Sequence, residues 1–141
     1  MKRITFLLLL PAFFLTSCSD DDQEDSGPVR IFPEVSTTWK LVNVSGSIAG
    51  VSHDFAPGTI TWTLNVNETV TVVNNNTNED VEDFFGSGTY EFSLEPFEYT
   101  PAPCDRNLVI DSSELGCAEF TENGLVLTQA MADGYVLTFV K

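Results

Sequence analysis

The sequence predicts an all-β domain: a closed, eight-stranded, antiparallel up-and-down barrel. Three observations predict it. Thr59-Ile60-Thr61-Trp62-Thr63-Leu64-Asn65-Val66 alternates polar and apolar residues without a break, the period of a strand with one buried face. Short intervals separate most such runs, which favours antiparallel pairing between neighbours in sequence. No segment carries a convincing helical period, and the stretch from Glu79 to Phe85 has room for a single turn at most. Strands that each have one apolar face must hide those faces together, and closing into a barrel does so while removing both exposed edges. A two-sheet β-sandwich is the alternative, because the strand pattern alone does not separate the two.

The elements follow in order. Strands are expected at about 37–46, 58–66, 69–75, 87–95, 107–112, 117–121, 125–130 and 134–141. The alternation of the second recurs in the fourth, Thr89-Tyr90-Glu91-Phe92-Ser93-Leu94-Glu95, and Tyr135, Leu137 and Phe139 form one face of the last. Asn123-Gly124 and Asp133-Gly134 are hairpin signals, since both central positions of the favoured two-residue turn need φ > 0. An eight-stranded interior is wide enough to be filled by side chains or to hold one small ligand. Trp62, Tyr90, Phe92, Tyr135 and Phe139 lie on the apolar faces and are the candidate lining of such a cavity, with His53 and Phe55 at its rim. The competing reading is that these aromatics fill a dry core.

Ahead of the barrel, Lys2 and Arg3 precede an apolar run from Ile4 to Leu15, the layout of a secretory signal peptide. The run is shorter than the roughly 20 residues a membrane-spanning helix needs, and Pro11 interrupts it. It ends Leu15-Thr16-Ser17-Cys18, which resembles the lipobox of bacterial lipoproteins. That resemblance implies diacylglycerol on the Cys18 sulfur and cleavage just before it. The next residues, Ser19-Asp20-Asp21-Asp22-Gln23-Glu24-Asp25, read by composition as an extended, solvated spacer. Cys18-Ser19-Asp20-Asp21-Asp22 is also similar to the surface-export tag of Bacteroidota lipoproteins, which implies the outer face of the outer membrane. The expected organisation is a signal peptide at 1–17, an acidic tether at 18–33 and the barrel domain at 34–141.

Within that domain, Trp39-Lys40-Leu41-Val42, Phe55-Ala56-Pro57-Gly58-Thr59-Ile60-Thr61-Trp62 and Asp133-Gly134-Tyr135-Val136-Leu137-Thr138-Phe139-Val140-Lys141 together resemble the lipocalin-like domains common among Bacteroidota lipoproteins. In lipocalins a Gly-x-Trp motif opens the first strand, its Trp plugs the closed end of the barrel and a basic residue near the last strand packs over the indole. The resemblance therefore assigns barrel closing to Trp39 and Lys141, with Thr37 in place of the Gly and Lys in place of the commoner Arg. It implies the fold without implying a ligand, because fold does not fix function.

Charge narrows the function classes. Without Lys2 and Arg3, four basic residues face 21 acidic ones, a side-chain charge of about −17. Such a chain has no basic patch to neutralise phosphates, which excludes nucleic-acid binding. With Cys18 committed to lipid, Cys104 and Cys117 remain, and a compartment beyond the inner membrane permits a disulfide between them. Two buried thiols are the alternative. A metal site is not expected of two Cys without a nearby His. Asn74-Asn75-Asn76-Thr77-Asn78-Glu79-Asp80, with Glu82 and Asp83, is dense in the hard oxygens calcium takes, but its spacing matches no EF-hand loop and such loops are common turn chemistry. His53 beside Asp54 has no evident nucleophile near it.

These observations lead to a non-enzymatic binding or accessory module without catalytic residues or cofactor, tethered to the membrane through Cys18 and exposed at the cell surface. Its expected partner is a small apolar ligand, a glycan or another envelope protein. The alternatives are a structural or assembly lipoprotein with a filled barrel, and an inhibitor or stress domain of the META type, which shares an opening Trp and short strands.

Overall fold

The computed structural model describes residues 35–96, 104 and 106–141. The segments expected as signal peptide and tether, with Cys18, lie outside the described residues.

Nine strands form one antiparallel sheet: β1 (Thr37–Gly46), β2 (Val51–Asp54), β3 (Ile60–Leu64), β4 (Thr69–Asn74), β5 (Gly88–Pro96), β6 (Arg106–Ile110), β7 (Ser113–Phe120), β8 (Gly124–Thr128) and β9 (Tyr135–Val140). No helix occurs among the described residues. Pairing runs from strand to neighbouring strand and then closes, because β1 also pairs with β9 from Lys40↔Val140 to Gly46↔Tyr135. That closure excludes the sandwich and leaves a barrel of the lipocalin-like kind.

The extra strand comes from splitting the second stave. β2 and β3 lie end to end along the same side of β1, from Gly46↔Val51 to Asn43↔Asp54 and then from Leu41↔Ile60 to Thr37↔Leu64. Residues 55–59 loop out between them, with the Phe55 amide donating to the Val42 carbonyl at 2.9 Å. The expected second strand at 58–66 is therefore only the second half of its stave. Val51-Ser52-His53-Asp54 has too few apolar residues to announce a strand, and its pairing with β1 makes it one.

Two turns also differ from expectation. The hairpins at Asn123-Gly124 and Asp133-Gly134 form, but none of these four residues has φ > 0. The first is a wider loop in which the Thr121 amide donates to the Gly124 carbonyl at 2.8 Å and Thr121 Oγ1 accepts the Gly124 amide at 2.9 Å. The second is a loop closed by Gly134 N donating to the Met131 carbonyl at 2.9 Å. The tight two-residue turn with both positions at positive φ is instead Asp111-Ser112, between β6 and β7 (φ 45° and 69°). Short polar side chains tolerate that region, so the turn needs no glycine.

β7 starts earlier than the expected 117–121, because a bulge interrupts its phase. The register shifts between Leu108↔Gly116 and Val109↔Glu114, and Leu115, Gly116 and Cys117 are all buried in succession. Gly116 sits at φ 85°, and a Cβ there would collide with the Thr128 carbonyl oxygen on β8, so the close approach needs glycine. Elsewhere the pleat delivers the alternation it promised. In β3, Ile60, Trp62 and Leu64 point into the core while Thr61 and Thr63 stay half-buried. Leu41, Val44, Val70, Val72, Leu108, Ile110, Leu125, Leu127, Leu137 and Phe139 complete one continuous core, each large side chain contributing about 1.5–3 kcal/mol on burial.

Candidate functional site

The barrel has two ends, and aromatic side chains cover both. β1 begins and β9 ends at one of them, the Trp39 end. There the Trp39 ring is buried, Phe120 of β7 packs against it with ring centroids 6.2 Å apart, and Lys141 Nζ lies 5.4 Å from the ring centre. The two residues assigned to barrel closing, Trp39 and Lys141, are thus in contact, and β9 carries Lys141 there by pairing its last residues with β8 and β1.

The opposite end carries the β1–β2 turn, the long β4–β5 connection at 75–87, the Asp111-Ser112 turn and the β8–β9 loop. In a ligand-binding barrel this would be the mouth. Here the β4–β5 connection crosses it. Phe85 meets the Trp62 ring edge-on at 5.5 Å and the Tyr90 ring at 5.2 Å, while Phe84 meets Tyr135 at 5.5 Å. Val81, Phe84 and Phe85 all pack onto the core.

The candidate lining residues therefore separate into two groups. Trp62 is 0 % exposed and lies 4.9 Å from Phe139, so the two occupy the interior, and Phe92 and Phe55 are buried with them. Tyr90 and Tyr135 stay half-buried beneath Phe85 and Phe84, and the Tyr90 hydroxyl donates to the Gly86 carbonyl at 2.9 Å. The Trp62 Nε1 proton has no hydrogen-bond partner although it is buried. An orphaned donor of this kind costs about 1–3 kcal/mol.

His53 and Asp54 do not form an acid–base pair. They are successive residues of β2, so their side chains leave opposite faces. Asp54 is engaged on its own face, accepting from Asn43 Nδ2 at 2.8 Å, and Asn43 Nδ2 also donates to Ser52 Oγ. His53 sits half-buried opposite Val44.

The Asn/Asp-rich segment is a brace for the plug. Asp83 Oδ2 accepts from Asn74 Nδ2 and from Asn76 Nδ2, both at 2.9 Å, and Asn74 Nδ2 also donates to the Phe85 carbonyl. Asn74, Asn76 and Asn78 each accept, through Oδ1, the backbone N–H two residues on, giving three successive Asx-turns. Ser87 ties the far end of the loop to Asn74 by accepting its amide and donating to its carbonyl. Asp83, Glu82 and the three Asn side chains, part of the oxygen set that suggested calcium, are thus engaged within the segment that carries Phe84 and Phe85, and no grouping of three or more His, Cys, Asp or Glu able to hold a metal occurs among the described residues. The sequence marked this loop by its Asn and Asp residues but did not connect it to Phe84 and Phe85. The signal was the repeated Asn at every second position, which is Asx-turn spacing.

Cys104 and Cys117 form a disulfide, with Cα atoms 5.7 Å apart. The chain matches no family model, no curated protein and no solved structure.

Proposed function

We propose that this chain is a lipid-anchored, non-enzymatic accessory module of the outer-membrane surface that works through the exterior of its barrel. The observation that carries this reading is the packing of Trp62 between Phe85 and Phe139 at full burial, which puts the protein's own side chains where an internal ligand would sit. The anchor and the cell-surface address rest on Leu15-Thr16-Ser17-Cys18 and the acidic run behind it. Among the three readings the sequence offers, this one takes up the envelope lipoprotein with a filled barrel, contacting proteins.

Titration of the purified mature chain with the fluorophore 1-anilinonaphthalene-8-sulfonate tests it. The expected result is no stoichiometric uptake, and one-to-one uptake with quenching of tryptophan emission would overturn it. Native mass spectrometry of the protein purified from its own membrane tests the anchor. Loss of residues 1–17 and acyl mass on Cys18 are expected.

One observation favours a second reading. The unpartnered Trp62 Nε1 would gain an acceptor from an apolar ligand carrying one carbonyl or hydroxyl, admitted by withdrawal of Phe84 and Phe85. The same titration separates the two.

A further inference from the structure

We propose that the end of the barrel opposite Trp39 is a docking surface for a basic, partly apolar protein segment, with Ile48 and Met131 as its two apolar anchors. The inference rests on the reading that the module works through its exterior.

The two residues stand on adjacent loops. Pairing of β1 with β9 runs to Gly46↔Tyr135, and just beyond it the Ser47 amide donates to the Gly134 carbonyl at 3.2 Å. Gly46, at φ 126°, has no room for a Cβ against that same Gly134 oxygen, so the two turns leave the barrel side by side. Ile48 is 93 % exposed on one and Met131 is 67 % exposed on the other. Their neighbours Ala49, Gly50, Ala130 and Ala132 are exposed and uncharged. An apolar pair so open to water gains nothing for the fold, and it stands out in a chain this acidic.

Hydrogen bonds close both turns. Gly50 N donates to the Ser47 carbonyl and Ala49 N to Ser47 Oγ, while Gly134 N donates to the Met131 carbonyl and Tyr135 N to Gln129 Oε1. Presenting the side chains on braced turns lowers the ordering cost of association.

Charge selects the occupant. Among the described residues, the lysines and arginine (Lys40, Arg106 and Lys141) share the Trp39 half of the barrel with Glu68, Glu95, Glu119 and Glu122, whereas the loops at the other end carry Glu79, Asp80, Glu82, Asp83, Asp111 and Asp133 and no lysine or arginine. An anionic lipid surface or a second copy of this end would meet like charge, and a basic polypeptide with an apolar stripe would meet opposite charge around two apolar contacts.

The test uses the full mature chain and an amphipathic Leu/Lys helical peptide as probe, with binding followed by fluorescence anisotropy. Binding that weakens by about tenfold or more in the double variant Ile48→Ser/Met131→Ser, and is unchanged in Val66→Ser at the Trp39 end, is expected. A peptide of lysines alone should bind weakly and show no difference between the variants. Equal binding by the double variant and the parent overturns the proposal, as does tip-dependent binding to phosphatidylcholine vesicles or tip-dependent dimerisation in analytical ultracentrifugation. Both substituted residues are exposed, so an unchanged thermal melt separates lost contact from lost fold. Uptake of the fluorophore into the interior would overturn the reading beneath this inference. Loss of tip dependence alone would overturn only the inference.

Discussion

Lys141 Nζ stands 5.4 Å from the centre of the Trp39 ring, so a cation from the end of β9 covers the indole that opens β1. The contact joins the two strands whose pairing turns a sheet into a barrel. Lys141→Ala is expected to lower stability by about 0.5–1 kcal/mol, and Lys141→Arg to retain it, because Arg also stacks on indole. Urea unfolding followed by tryptophan fluorescence measures the difference.

The disulfide ties Cys104, just ahead of β6, to Cys117 of β7 across a sequence separation of 13. Replacing both cysteines, Cys104→Ser with Cys117→Ser, should cost about 2–4 kcal/mol. The parent chain in reductant should melt near the double variant. Matching melts of the parent with and without reductant would contradict a stabilising bridge.

Gly116 gives the most specific backbone test. Gly116→Ala adds a Cβ facing the Thr128 carbonyl at a φ that L-residues rarely adopt. A loss of about 1–3 kcal/mol is expected, together with faster amide exchange along the β7–β8 ladder. Gly86→Ala, at a position with open space around its Cβ, serves as the control and should be close to neutral.

Asp83 bridges Asn74 and Asn76, and through them it positions the plug. Asp83→Ala should loosen residues 75–87 while leaving most of the barrel ladder intact. Hydrogen exchange should rise within that loop, and Trp62 emission should shift to the red as Phe85 withdraws. Exchange that rises evenly over all nine strands would show that the loop and barrel open as one unit.

Leu137 is wholly buried between β1 and β8. Leu137→Ala should cost about 2–5 kcal/mol, the range for a core truncation whose cavity does not collapse. Denaturant melts measure it against the smaller effect expected of Lys141→Ala.

Much of this architecture was legible locally. β1 was expected at the residues it occupies, and β3, β4, β5 and β9 were found within a few residues, because each alternates cleanly over its own length. β2 was not legible, since Val51-Ser52-His53-Asp54 is a strand only through pairing with residues of β1. The early start of β7 was hidden by the bulge at Gly116, which breaks the two-residue period that sequence reading depends on. The aromatics of the candidate cavity were identifiable by position, but their role was not. Whether Trp62 lines a space or fills it depends on Phe85, which reaches it from a loop remote in sequence.

The sequence by itself determined the strand class and the extreme acidity, and it supplied the Leu15-Thr16-Ser17-Cys18 motif on which the proposed address rests. These depend on local period, on composition and on a short motif, all of which are complete within a few residues. Only the tertiary structure decided that the sheet closes through β1 and β9, that Asn74, Asn76 and Asp83 hold a plug, and that the turns carrying the exposed Ile48 and Met131 are joined through Ser47 and Gly134. The first and the last are contacts between residues far apart in the chain, whose energy exists only once the barrel has brought them together, and the plug matters only because the closed barrel gives it an end to cover.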